Sequence, residues 1–365
     1  MDYGHLETEK IIRDIEEAIT KEYEKATAEI QAKLDEYLEK FAKKDALKRK
    51  ALEKGLITKE EYDRWRVGQL MISERWKEMR DALAVDMANA SQIARQIAFS
   101  YMPEVYALNV NYGMYMADVL SNGRIASAFT LYNKDAVAIL FREGQFWHPA
   151  GRRISNLIAM GQQVAWDKKQ IQSVMMQSIL QGESIPKMAE RLAKTVGDSD
   201  MKAAIRNART MATGVQNAAR TVSIRRADDI AEKYGMRVLK QWMATHDGRT
   251  RHWHAELDGV AIPENESFVN DYGEIDYPAD PSADPANVYN CRCTLLPCIE
   301  GLGFNNSLHP SVTGIQMGKD LNGISYEEWK AGHYKQHSDP ITKQKDIEDI
   351  MRAHYGSEYR KYANA

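Results

Sequence analysis

The chain has 365 residues, 44% of them hydrophobic, and a formal net charge of −3. That length accommodates two or three domains with an ample core, and the near-neutral balance gives no global reason to expect a nucleic-acid or membrane-surface partner. No window approaches eighteen uninterrupted apolar residues, so no membrane span is expected, and the charged Glu7-Thr8-Glu9-Lys10 start offers no apolar signal region. Cys291, Cys293 and Cys298 are the only cysteines. They are too few and too crowded for a secreted disulfide framework, which points to folding in a reducing cytoplasm.

Residues 8–54 lack Pro and Gly, and Ile11, Ile15, Ile19 and Tyr23, then Ile30, Leu34, Leu38 and Phe41, recur at helical spacing. Glu and Lys fill the other faces and support helix through i,i+4 pairs. The spacing predicts one or two long helices, broken near Lys43-Lys44-Asp45 at most and capped by Gly55. The narrow apolar stripe suits a coiled-coil-like contact with another protein or a hairpin within its own domain. Thr58-Lys59-Glu60-Glu61 reads as a capping box opening a second long helix with Tyr62, Trp65, Leu70, Trp76 and Leu83 on it. Pro103 is expected to interrupt that helix. Residues 104–141 are mixed, either more helix or a short hairpin near residues 128–132. Helix resumes over about 153–181, stops at Gly182, and restarts after Ser184-Ile185-Pro186.

Residues 198–240 form a further helical stretch carrying nine Lys/Arg, among them Arg206, Arg209, Arg220, Arg225 and Arg226. Such a face suits DNA, an acidic partner, or simply solvent. Tyr234-Gly235 closes the helix, and residues 236–242 then alternate like a strand. Between Arg251 and Arg292 there is no Lys or Arg, yet nine Asp/Glu occur. Asp247-Gly248 and Asp258-Gly259 are tight-turn dipeptides, and Pro278, Pro281 and Pro285 hold an extended loop. Past Cys298 the chain is loop-rich, with short helices expected at residues 325–330, where Trp329 is a docking anchor, and at 346–354. The expected fold class is mainly α. Long N-terminal helices (1–150, with a middle helical region 151–235) precede a small α+β module at 236–300 and a loop-rich helical tail at 301–365.

Three chemistries are open in the module. Cys291, Cys293 and Cys298 with His252 or His254 offer soft ligands for zinc. Asp271, Glu274, Asp276, Asp280 and Asp284 lie in one loop, but the EF-hand spacing is absent, and a solvated acidic loop is favoured over calcium. Cys291 with His254 would make a nucleophile and base, and His246 or His252 with Glu256 an acid–base pair. Arg249 and Arg292 more simply tie loops together by bidentate pairs to Asp247, Asp258 or Asp280.

The order Trp242, Asp247-x-Arg249-Thr250, His254, Asp258-Gly259, Phe268, Pro278-x-Asp280-Pro281 and Asn290-Cys291-Arg292-Cys293 resembles the tailed-phage head morphogenesis family, the minor head proteins of the Mu F and SPP1 gp7 type. Ala208-Arg209-Thr210 and Asn217 fit the same family. The resemblance covers roughly residues 170–300. It implies a structural virion protein, not an enzyme. Such a protein contacts the portal protein and the major capsid or scaffolding protein, with phage DNA a further contact and no membrane. It would reside in the phage head or at the portal vertex, and in host cytoplasm during assembly. The alternative is a metal-dependent nuclease or effector enzyme carried in the head. Relatives carry a Cys-x-x-Cys and a His-Pro-x-Cys-Arg-Cys that look like a four-ligand zinc site. Here Arg251 stands for the first Cys, His254 for the second and Val288 for the His. A site using His254, Cys291 and one more group, Cys293 being the candidate, stays open beside a metal-free remnant in which Arg251 forms ion pairs and the cysteines are small buried hydrophobes.

Overall fold

The computed structural model describes residues 2–69, 74–121, 123, 156–181, 183, 185–300 and 325–336. The first helix, α1 (Tyr3–Glu53), is continuous and passes through Lys43-Lys44-Asp45 without a break. It ends where Gly55 turns to φ 69°, with Gly55 N–H on Leu52 O and Leu56 N–H on Ala51 O. That double closure uses the left-handed conformation glycine adopts freely. Helix α2 (Lys59–Val67) starts on the expected capping box. The Thr58 hydroxyl accepts from Glu61 N–H, and Glu61 returns to the Thr58 N–H.

Helix α3 (Glu74–Leu120) does not stop at Pro103. A mid-helix proline costs about 3 kcal/mol through its lost N–H and ring clash. Here the turns on both sides bury Met102, Val105, Tyr106 and Val110 almost completely, and that burial outweighs the cost. Residues 104–120 are therefore helix, while the hairpin considered at 128–132 lies outside the described residues.

Helix α4 (Asn156–Leu180) is followed by α5 (Ile185–Ala231), one helix where the sequence suggests two. Gly197 does not break it. A Cβ there would lie 2.5 Å from Thr27 Oγ1, so glycine serves close packing against α1. The helix tightens into a 3-10 turn, Glu232–Tyr234, and closes at Gly235 with φ 69°, as expected.

Contacts divide the chain into two units. One takes Ile15–Ala98 and Arg153–Ile205. Its core joins Leu34, Leu38, Trp76 and Met87 to Ile171, Met175, Met188 and Leu192, so four helices share one apolar interior. The other takes Met1–Asp14, Phe99–Arg152 and Arg206–Ala365. It contains an antiparallel sheet of order β2-β1-β5, built from Ala261–Ile262, Val238–Met243 and Thr294–Ile299. Trp242 stands opposite Leu295 in its register. A hairpin pairs β3 (Phe268–Asn270) with β4 (Gly273–Ile275), and two single-turn helices, α6 (His252–Ala255) and α7 (Pro285–Val288), fill the connections.

The last described helix, α8 (Tyr326–Gln336), begins on a Ser325/Glu328 capping box. Trp329 is the anchor the sequence suggests: its Nε1 donates to Asp118 Oδ2 at 2.9 Å, while Tyr326 packs among Tyr3, Tyr112 and Tyr115. The helix expected at 346–354 lies outside the described residues. The fold is mainly helical with a small α+β part, in line with the sequence. Among the described residues no helix is long and apolar enough to cross a membrane.

Candidate functional site

The motif residues converge on the buried polar face of α5. Gln216, Asn217 and Arg220 are fully buried there. Asn217 Nδ2 reaches Thr213 O at 2.9 Å, Cys293 O at 3.1 Å and Pro278 O at 3.2 Å. Its Oδ1 accepts from Leu295 N at 3.0 Å and Thr294 Oγ1 at 3.2 Å. One amide thus ties the helix to the start of β5 and to the proline loop, satisfying backbone groups that burial would otherwise leave unpaired.

One turn on, Arg220 donates to both oxygens of Asp2, at 2.8 and 2.6 Å, and to Leu295 O and Asn109 Oδ1. Burial pushes the Asp2 carboxyl up, and the charge and hydrogen bonds of Arg220 outweigh it, holding Asp2 below the usual carboxylate range. Gln216 bridges His5 and Thr294 Oγ1. Burial holds the His5 imidazole below its ordinary value, and the Arg220 charge acts in the same direction.

The loops are laced in the same way. Arg292 grips both oxygens of Asp247, with Nη2 2.7 Å from Oδ1, and Asp247 Oδ1 also accepts the Arg249 N–H at 2.9 Å. The hydrogen bonds from Arg292 hold Asp247 well below the usual carboxylate range. Arg249 itself, 80% exposed, only approaches Asp247 at 3.6 Å. Of the two arginines expected to clamp loops, Arg292 does so and Arg249 does not. Asp258 Oδ1 caps Ala244 N at 2.8 Å and Oδ2 meets His246 Nε2 at 3.1 Å, while Gly259, at φ 79°, returns its N–H to Trp242 O. Thr250 Oγ1 bonds Thr245 O, and Thr245 Oγ1 reaches Arg292 O at 2.6 Å. Asp280 accepts from Ser282 N, Ser282 Oγ and Asp276 N, and burial raises its carboxyl. Asn290 takes φ 56° and donates its N–H to Thr210 Oγ1. Trp242 is fully buried, edge-on to His254 and Phe268.

His254, Cys291 and Cys293 meet in the interior. His254 Nδ1 lies 3.6 Å from each sulfur, and all three side chains are buried. His254 Nε2 faces Asn287 Oδ1 at 3.3 Å, and Asn287 in turn pairs with Asn270. The hydrogen bond with Cys293 holds the Cys291 thiol below its ordinary range, and the nearby Arg251 charge adds to that. The same pairing, with burial, pushes Cys293 well up. Cys298 sits apart on β5 and is raised by burial alone.

The profile of the Phage Mu protein F like family matches residues 169–296, which include Gln216, Asn217, Arg220 and the loops from Trp242 to Leu295 but not Asp2, His5 or Asn109. This stretch is a Mu F-like domain. "Minor head protein GP7" of Bacillus phage SPP1 is 32% identical over 158 residues, 42% of this chain and 47% of that protein. "NAD(+)--arginine ADP-ribosyltransferase EFV" of Enterococcus faecalis is 28% identical over 159 residues, 43% of this chain and 30% of that protein. The chain thus spans less than half the length of either curated relative. No solved structure matches.

Within the Mu F-like domain the three buried donors suit zinc in spacing. Tetrahedral zinc, with bonds of about 2.3 Å to sulfur and about 2.0 Å to nitrogen, sets N···S at about 3.6 Å. That is the separation on both arms here. Among the described residues no fourth His, Cys, Asp or Glu joins the three. Arg251, whose guanidinium bonds Tyr289 O, lies toward Cys291 instead. Zinc would therefore be held through three protein donors, tying α6 to the turn before β5. A second group, His252, Glu256 and Asp271, is fully on the surface, with His252 Nε2 3.1 Å from Glu256 Oε1.

The basic residues of α5 separate by environment. Arg220 is an internal strut, so the DNA or partner contact expected of it is not available. Arg225 is engaged by Glu264. Arg209 and Arg226 are half-buried and also engaged. Arg206 is exposed, with its guanidinium over the Tyr289 ring. Sequence reasoning missed Asp2, His5 and Asn109, which complete the polar network from more than 100 residues away, and it missed Gln216 on the helix itself and Lys240. Lys240 is buried, with Nζ on Asp276 O at 2.9 Å and over the Phe268 ring, and burial lowers its ammonium.

Proposed function

We propose that the chain is a structural component of a tailed-phage head. Its helices would dock on the portal or on capsid subunits during assembly, DNA packaging or DNA delivery, and its Mu F-like domain would serve as a rigid folded module. The observation that carries this reading is where the motif spends its side chains. Trp242, Asp247, Asp258, Asp280, Asn290 and Arg292 are committed to internal caps, clamps and turns. Cys291 and Cys293, both within reach of His254, are closed off from solvent together with it. Such a motif specifies a fold, with most of its polar groups used inside the chain.

Residence in the virion, with assembly in host cytoplasm, belongs to the same proposal. Its experiment is co-expression of the full chain with the portal protein of the same phage, followed by size-exclusion chromatography and mass determination. A complex of defined stoichiometry that is lost when exposed residues of the long helices are charge-reversed supports it. Co-expression with portal and with capsid protein that yields no complex overturns it.

The similarity to a protein named as an arginine ADP-ribosyltransferase favours one second reading, an effector enzyme carried in the head. Transfer of label from NAD to an arginine-bearing acceptor by the purified chain would establish it.

A further inference from the structure

The unit formed by Ile15–Ala98 and Arg153–Ile205 holds a polar layer that its apolar core does not explain. Asp167 of α4 is fully buried, and Asp200 of α5 is nearly so. Their carboxyl groups lie within hydrogen-bonding reach of each other. Gln163, one turn before Asp167, donates to Asp167 Oδ1 at 2.9 Å and approaches Asp200 Oδ2 at 3.4 Å. Asp167 Oδ2 is buried and meets no N–H or O–H donor among the described residues. From α1 the Tyr23 ring faces the pair, its hydroxyl 2.9 Å from Ser91 Oγ of α3. Arg95 of α3 lies near Tyr23 but is exposed. Among the described residues no Lys, Arg or His forms an ion pair with either aspartate.

Two carboxylates cannot both stay ionised at contact distance in a dry site without a counter-charge. Asn or Leu would fill the same space without that conflict. We propose that Asp167 and Asp200 share one proton across the α4–α5 contact, and that this makes the helical unit a pH-responsive element, tightened by acid and loosened as the proton is lost.

The direction follows from linkage. Burial first, and the neighbouring Asp200 second, push the Asp167 carboxyl up to about 8, and burial also raises Asp200. The folded unit therefore retains a proton over a range in which the unfolded chain, titrating near 4, has released it. Stability is greatest below about pH 4 as far as this pair is concerned. It falls continuously as pH rises to about 8, and is level beyond. One proton released on unfolding corresponds to a tenfold change in the opening equilibrium per pH unit.

The test is hydrogen exchange by mass spectrometry on the full chain from pH 5 to 9, with rates corrected for intrinsic amide chemistry. In the wild type, protection of peptides covering residues 163–171 and 197–204 should fall about tenfold per pH unit up to pH 8. In Asp167→Asn the amide donates to Asp200 at every pH. Protection there should vary by less than about twofold per unit and exceed the wild type at pH 8. An unchanged slope in Asp167→Asn overturns the proposal. So does a large gain in wild-type protection at pH 8 on adding magnesium or calcium alone, which would mean that the pair holds a cation instead. Should the variant not fold, infrared spectroscopy of the wild type decides. A protonated-carboxyl C=O band present at pH 6 and titrating away near pH 8 supports the shared proton, and its absence at pH 6 refutes it.

Discussion

Arg220 and Asp2, 218 positions apart, form a two-armed ion pair in which neither side chain is exposed to solvent. Breaking one partner of such a pair leaves an uncompensated buried charge, at a cost of about 3–5 kcal/mol. Arg220→Ala is therefore expected to lower stability by that order in denaturant unfolding. Arg220→Met combined with Asp2→Leu should recover much of the loss, because an apolar pair of similar volume leaves no charge behind. A single variant as stable as the wild type would show that water reaches the pair.

Asn217 gives a sharper expectation. Its amide serves Pro278 O and Cys293 O as donor and Leu295 N as acceptor, all inside. Asn217→Ala strands these backbone groups, each costing about 1–3 kcal/mol, so a loss of about 3 kcal/mol or more is expected. Asn217→Asp should be no milder, since a carboxylate would face three carbonyl oxygens, those of Thr213, Pro278 and Cys293. The measurement is thermal unfolding followed in the near ultraviolet, where the neighbouring Trp242 reports on packing. An Asp variant close to wild type would contradict the assigned donor role.

Acid sensitivity follows from Asp247. Its folded-state carboxyl sits well below the usual range because of Arg292, so the clamp is fully present above about pH 4 and is lost as pH falls from there through the folded value. Asp2 shifts the same way. Denaturant midpoints measured from pH 7 down to pH 2 should fall in the wild type and fall less steeply in Asp247→Asn. Equal slopes would remove Asp247 from the acid response.

Much of this was legible in the sequence for local reasons. The capping box at Thr58, the closures at Gly55 and Gly235 and the turn at Asp258-Gly259 are set by neighbours in the chain, and short-range chemistry governs them. The approach of His254 to Cys291 and Cys293 was expected on residue type and resemblance, and the structure brings them together while leaving Cys298 and His252 apart. What the sequence concealed depends on distance. Pro103 reads as a breaker until the burial around it is known, and the stretch from 198 reads as a separate helix until Gly197 is seen packed on Thr27. Arg220 looks like one more surface cation until Asp2 is found beside it.

The last expectation concerns zinc. Three buried donors at tetrahedral spacing with no fourth protein ligand define a site that would hold metal less firmly than a four-donor one. Elemental analysis of the purified chain is expected to give about one zinc per molecule, lost on prolonged chelation. Chelation should lower the melting temperature in the wild type and leave His254→Ala unaffected. Arg251 opposes this binding through its charge, so Arg251→Cys, which adds a third sulfur as the fourth donor from the same single-turn helix entry, should retain zinc against a chelator concentration that strips the wild type. A wild-type chain that carries no zinc, and whose melting temperature ignores both chelator and added zinc, would mean that His254, Cys291 and Cys293 are held together by hydrogen bonding and packing alone.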